Sequence, residues 1–210
     1  TVYDIPSFGD NNGWGRMLKN ENNEQKYVVD AWKVIWERFA NDPSVIGYDL
    51  LNEPFRGDID LDYDIVTEEY LVPLYRLLID EMHKINPDKW AIYQASKIDR
   101  DDLDNHPIPF APVMVSLDRD RLIFAPHGYF PNAEMHKRAV ERHVKEAEIS
   151  SAALMMGEWG RQTYPENDTS LAEQLNYFKL YTEVSSIFDK QGMGLIKAWF
   201  TGTPVPDRWT

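Results

Sequence analysis

Hydrophobic positions along the chain follow two rhythms. Over about residues 24–40, Val28, Trp32, Ile35 and Phe39 recur at steps of four, three and four, the spacing of one buried helical stripe. Asn41-Asp42-Pro43 ends that run, and residues 44–51 form a short apolar stretch, predicting a strand into Asn52-Glu53-Pro54. An acidic stretch, 57–64, reads as loop. A second helix is predicted over about 73–85, with Pro73 in its first turn and Leu74, Leu77, Leu78, Met82 and Ile85 facing inward. Asn86-Pro87-Asp88 stops it. Further strands are predicted at 90–94, 121–126, 152–156 and 195–199, ending at or next to Gln94, His127, Gly157-Glu158 and Trp199. Helices are predicted over about 133–147, capped by Asn132, and from the Ser170–Glu173 capping box to about 190. Residues 1–23 and a long polar stretch reaching about 120 read as loops.

Strands alternating with helices predict a parallel α/β fold. Polar and aromatic residues gather where strands end, as at the carboxyl face of a (β/α)8 barrel, where active sites lie. Such a barrel needs eight strands and ~250 residues. The pattern supplies five in a chain of 210. The expectation is therefore a single catalytic domain, 1–210, forming part of a (β/α)8 barrel that is three strands short.

Composition narrows the chemistry. A hydrophobic share of 43 per cent is too high for a disordered chain. The formal net charge of −13 repels phosphate backbones, so nucleic acid is not an expected partner, whereas neutral sugars are not repelled. With no cysteine, thiolate metal sites and cysteine nucleophiles are excluded. No apolar run approaches the ~20 residues of a membrane span. No leader is visible and no initiator Met is present; a secreted protein is expected, with a cytoplasmic one as the alternative.

Hydrolysis of a glycoside needs one carboxylic acid to protonate the leaving oxygen and a second carboxylate at the anomeric carbon. Glu53 and Glu158 each close an apolar strand, where partial desolvation tunes a carboxyl group. Pro54 is expected to hold Glu53 extended, and Gly157 and Gly160 to leave room for a sugar ring. The alternative is a pair of ordinary strand-end carboxylates in salt bridges. His127 and Tyr129, two apart, share one face of an extended chain. A packed His and a structural Tyr are their alternative.

The stretch 45–55, reading Val-Ile-Gly-Tyr-Asp-Leu-Leu-Asn-Glu-Pro-Phe, resembles the fourth-strand signature of the family 5 glycoside hydrolases, the cellulase family. Gly157-Glu158-Trp159-Gly160 is similar to its seventh-strand motif, and His127-Gly128-Tyr129 to its sixth-strand His-x-Tyr. The resemblance implies a retaining β-glycosidase needing no cofactor. It makes Glu53 the acid/base, Glu158 the nucleophile and Asn52 a donor to the sugar 2-hydroxyl. It also places His127 beside the acid/base region or substrate, Tyr129 as donor to the nucleophile, and Trp199 as the floor beneath the sugar. Trp14, Trp159, Phe200 and Trp209 are candidates for further subsites. The family's second-strand Arg and third-strand His have no counterpart upstream of Glu53, so the resemblance implies that residues 1–210 are the C-terminal part of the barrel, with strands 1–3 missing. Asn52–Asp58, Tyr70–Tyr75 and Asn86–Asp88 look most like the endoglycoceramidase-like branch, which implies a β-glucosyl glycolipid as substrate, with an oligosaccharide or a polysaccharide such as β-1,4-glucan or mannan as alternative. A different class also fits: a carbohydrate-binding remnant of the same fold without turnover.

Asp58, Asp60, Asp62 and Asp64 alternate with Glu69 downstream, but Tyr63 stands where a Ca²⁺ loop needs glycine. A solvated acidic loop is the expectation, and no metal. His83, His106, His136 and His143 lack metal-ligand spacing; His136 and His143 read as a solvated or packed helix face.

Overall fold

The computed structural model describes residues 11–96, 116–130, 132–160 and 171–195. In chain order the elements are α1 (Asn11–Leu18), α2 (Glu24–Phe39), β1 (Gly47–Asp49), α3 (Tyr63–Val66), α4 (Val72–Ile85), β2 (Trp90–Tyr93), β3 (Leu122–Phe124), β4 (His127–Tyr129), α5 (Ala133–Ile149), β5 (Ala153–Met156), β6 (Glu158–Gly160), α6 (Leu171–Lys190) and β7 (Gly194–Leu195). Five strands form one parallel sheet in the order β1-β2-β3-β5-β7, and β4 pairs in parallel with β6 where β3 and β5 run out. This is part of a (β/α)8 barrel, as the strand–helix alternation predicted.

Side chains alternate across the sheet. Tyr48 and Leu50, Ala91 and Tyr93, and Leu122 and Phe124 point into the helix layer and are buried. There Tyr93 meets Tyr75 of α4 edge-on at 5.8 Å and Phe124 at 5.3 Å. The predicted inward positions of α4 hold: Leu74, Leu78 and Met82 are buried, with Leu77 and Ile85 packed against the core. A smaller cluster unites Val140 of α5 and Met156 of β5 with Trp159, Val184 and Phe188. The opposite, concave face carries Asp49, Ile92, Ile123 and Met155, none of them fully buried.

Several predicted elements are corrected. Part of the expected N-terminal loop is helical, in α1 and a 3-10 turn at Glu21–Asn23. α2 has the expected length, and Val28 and Trp32 of the predicted stripe pack against the core, but the buried face is rotated toward Val29 and Trp36, leaving Ile35 and Phe39 41% and 37% exposed. The two indoles set that rotation. Trp32 stacks on Trp36 at 5.7 Å, and its Nε1–H donates to Leu50 O at 3.2 Å, tying the helix to β1. Helical structure also starts ten residues before Pro73. A π turn at Thr67–Leu71 joins α3 to α4: the Val72 N–H reaches back five residues to Thr67 O, just ahead of Pro73, which has no N–H to donate to a regular helical ladder. Asn132 caps α5 as expected, its Oδ1 accepting from Met135 N–H at 2.9 Å. Trp199, Phe200, Trp209, His106 and Ser170 lie outside the described residues.

Candidate active site

Glu53, His127, Tyr129 and Glu158 converge at the carboxyl ends of the parallel strands. His127 Nδ1 stands between the two carboxylates, 3.0 Å from Glu53 Oε1 and 3.5 Å from Glu158 Oε2. Tyr129 Oη–H donates to Glu158 Oε2 at 2.5 Å. One oxygen of each glutamate and one His127 nitrogen all lie within 4.8 Å of one another. The glutamate side chains are 23% and 35% exposed and His127 is 8% exposed, so the carboxylates face open space while the imidazole backs them. The same three side chains also have the spacing of a cation site. Asn52 is exposed beside Glu53.

An irregularity in the strands aims Glu158. In the β3–β5 pair, Phe124 lies opposite Leu154, a difference of 30 in residue number; in the β4–β6 pair, His127 lies opposite Glu158, a difference of 31. One extra residue therefore sits in the second strand, a β-bulge at Gly157. In a regular strand Glu158 would follow Met156 into the helix layer. The bulge reverses the alternation: Glu158 faces the concave side, and Trp159 goes into the core at 3% exposure, against Tyr181 and Phe188. A Cβ on Gly157 would come 2.7 Å from Ala125 O and 3.1 Å from the His127 ring. The expectation that this glycine leaves room for sugar is thus corrected: it leaves room for the neighbouring strand. Gly160 likewise gives way to the Tyr129 ring, at 3.2 Å. Trp159 is a core residue rather than a subsite wall, and Trp14 lies part-buried on α1.

Glu53 departs from the expected extended backbone, with φ +44°. Pro54 disfavours the right-handed helical region at this position, and the turn resolves into positive φ with the Glu53 N–H donating to Gln94 Oε1 at 3.2 Å. Gln94 and Asp49 were not singled out in the sequence. The usable signal was strand alternation, which puts Asp49, four residues before Glu53, on the same face. Packed protein around the Asp49 carboxyl, despite its open outer side, pushes its pKa up to about 6, against the opposing pull of His127 and Gln94.

His136 and His143 are buried on α5 and belong to the packing. His83 Nε2 lies 3.1 Å from Lys89 O, away from the glutamates. The stretch from Asp58 to Asp64 is mostly exposed, as expected for a solvated loop, and Asp58 pairs with Lys19 at 3.7 Å. Among the described residues no helix is long and apolar enough to cross a membrane.

Comparison with known proteins adds to this geometry. The family model Cellulase (glycosyl hydrolase family 5) matches residues 8–191. An endoglycoceramidase of Cyanea nozakii is 31% identical over 109 residues, which is 40% of this chain and 22% of that protein. Among solved structures, an endogalactoceramidase superposes with a TM-score of 0.69 at 21% identity, covering 90% of this chain and 40% of that one. Endo-glycoceramidase II from Rhodococcus sp., in its ganglioside GM3 complex, gives 0.70 at 15% identity, covering 89% and 42%. These likenesses establish the fold. The chain spans about a fifth of the curated relative's length and less than half of either solved chain.

Proposed function

Because the chain belongs to the cellulase family, glycosyl hydrolase family 5, we propose that it carries the machinery of a retaining β-glycosidase, with Glu158 as nucleophile and Glu53 as acid/base. The observation that carries this reading is the approach of the two glutamates, with one oxygen of each within 4.8 Å of the other and His127 between them. Retaining pairs sit ~5–5.5 Å apart, whereas inverting pairs stand ~6.5–9.5 Å apart to admit a water. Tyr129 breaks the symmetry. Its hydroxyl hydrogen-bonds to Glu158 and fixes the direction of that carboxyl group, which a nucleophile in line with the anomeric carbon needs.

In this reading Glu158 attacks the anomeric carbon as Glu53 protonates the departing oxygen, leaving a glycosyl ester on Glu158. Glu53, now ionised, takes a proton from water, which opens the ester and frees the sugar. Asn52 donates to the 2-hydroxyl, and Trp199 supplies the sugar's floor. The substrate proposed is a β-glucosyl glycolipid, in keeping with the endoglycoceramidase relatives, with β-1,4-glucan or mannan as the alternative.

A 2-deoxy-2-fluoro-β-glucoside with a good leaving group tests the assignment, since trapping needs only the first half-reaction. Peptide mass spectrometry is expected to find the sugar on Glu158, and Glu53→Ala is expected to retain labelling because a good leaving group needs little protonation. A label on Glu53 would reverse the roles; no label under conditions where the chain is folded would favour the binding-only remnant.

A further inference from the structure

We propose that Gln94 and Asp49 are positioning residues for Glu53: the Gln94 amide holds the Glu53 backbone in its left-handed turn, and Asp49 fixes which way that amide faces. The proposal rests on the reading of Glu53 as the acid/base. A non-glycine residue at φ +44° is strained, and it persists only where its surroundings hold it there. Gln94 is placed to do so. It follows β2 directly, is 3% exposed, and its own N–H donates to Tyr75 Oη at 3.2 Å, with Tyr75 fully buried. Its side-chain Oε1 accepts the Glu53 N–H at 3.2 Å, and its Nε2 donates to Asp49 Oδ2 at 3.5 Å.

The two ends of the amide are chemically distinct. Flipped, its NH2 would face the Glu53 N–H, donor against donor, and its oxygen would face the Asp49 carboxylate. Asp49, on the strand that leads to Glu53, makes the flipped state unfavourable. The chain of contacts runs Tyr75, Gln94, Glu53, His127: from the core of the helix layer to the imidazole between the glutamates. Losing the Gln94 acceptor frees the Glu53 turn to relax toward negative φ, which carries its carboxyl off His127 Nδ1.

The test uses the full 210-residue chain, held at a concentration where sedimentation shows it monomeric, and backbone amide exchange by NMR. Gln94→Leu is expected to speed exchange at Glu53 about tenfold, the loss of one buried hydrogen bond, and to shift the His127 ring resonances, while the Tyr93 amide in β2 keeps its protection. Gln94→Glu combined with Asp49→Asn, which keeps an acceptor for the Glu53 N–H and supplies an amide donor to the second oxygen, is expected to restore Glu53 protection, and Asp49→Asn alone to give an intermediate rate. Unchanged Glu53 exchange and unchanged His127 resonances in Gln94→Leu, with β2 intact, would overturn the proposal. A second arm separates it from the acid/base reading. Labelling by 2-fluoro-β-glucosides of falling leaving-group ability is expected to slow more steeply in Glu53→Ala than in the unaltered chain, with Gln94→Leu between them. If Glu53→Ala shows no such steepening, the acid/base role fails, whatever the exchange data say of the backbone link.

Discussion

At the scale of single residues, the site depends on a hydrogen atom where another residue would carry a methyl. Glu53 and Glu158 were legible because each ends an apolar run, a pattern the sequence displays openly. The direction of Glu158 was not legible. Strand alternation alone sends it into the core with Met156, and only the extra residue at Gly157 turns it outward. Nothing in a linear string marks which strand of a pair carries the additional residue. The dependence is testable. In Gly157→Ala the new methyl would meet Ala125 O at 2.7 Å, a backbone atom with no rotamer to yield. Overpacking of this kind costs ~1–3 kcal/mol, and a displacement of ~1 Å at the nucleophile costs ~100-fold in rate. Gly157→Ala is therefore expected to lower the denaturation midpoint modestly and the 2-fluoro-glucoside labelling rate on Glu158 by about two orders of magnitude. Equal labelling rates would show that the bulge does not aim the carboxylate.

At the scale of elements, the sequence located most helices and strands and misjudged how they are turned. α4 was read correctly because its predicted inward positions are all apolar and do pack inward, and its stop, Asn86-Pro87-Asp88, is strong; Asn86 Oδ1 accepts from Asp88 N–H at 2.8 Å. α2 was read correctly at Val28 and Trp32, which pack on the core, and wrongly at Ile35 and Phe39, because the Trp32–Trp36 stack turns the buried face and a hydrophobic count does not register where an indole N–H must find a carbonyl. α5 hides a different kind of information. His136 is 1% exposed and stands edge-on to Phe130, Trp159 and Phe188. Burial lowers its pKa from 6.5 to about 4, against the pull of the Phe130 and Gly160 backbone. The sign follows from linkage: the unfolded chain takes up this proton near 6.5 and the folded one only near 4, so the unfolded state binds more protons between them. Stability from this residue is present above pH 6.5 and is lost as pH falls toward 4, by roughly 3 kcal/mol at ~1.36 kcal/mol per pH unit. Buried His143 shifts in the same direction. Urea denaturation at pH 7 and 4.5 is expected to show a smaller pH-dependent loss in His136→Leu than in the unaltered chain. Parallel losses in the two proteins would mean the imidazole titrates normally.

At the scale of the whole molecule, the five-stranded parallel sheet was legible as an alternation of strands and helices. Among the described residues β1 pairs only with β2 and β7 only with β5, so each presents an edge. Apolar side chains flank both ends. Tyr27 and Val34 of α2 and neighbouring Ile46 are 69%, 70% and 66% exposed; Leu171, Leu175 and Phe178 form one stripe along α6 at 71%, 59% and 73%. Covering ~200 Å² of such surface at ~25 cal/mol per Å² is worth about 5 kcal/mol, comparable with the entire stability of a domain at ~5–15 kcal/mol. Among the described residues no strand joins β1 to β7, so these elements do not enclose the concave face that holds Glu53 and Glu158, and water weakens charge interactions where it reaches them. We therefore expect residues 1–210 alone to self-associate and to turn over an aryl β-glucoside far more slowly than a polypeptide joining this chain to three further strand–helix units. Sedimentation velocity and steady-state assays on the two, side by side, decide the matter. A short chain that stays monomeric and matches the longer one in kcat/KM would show that five strands suffice, and would remove the case for an eight-stranded barrel as the working unit.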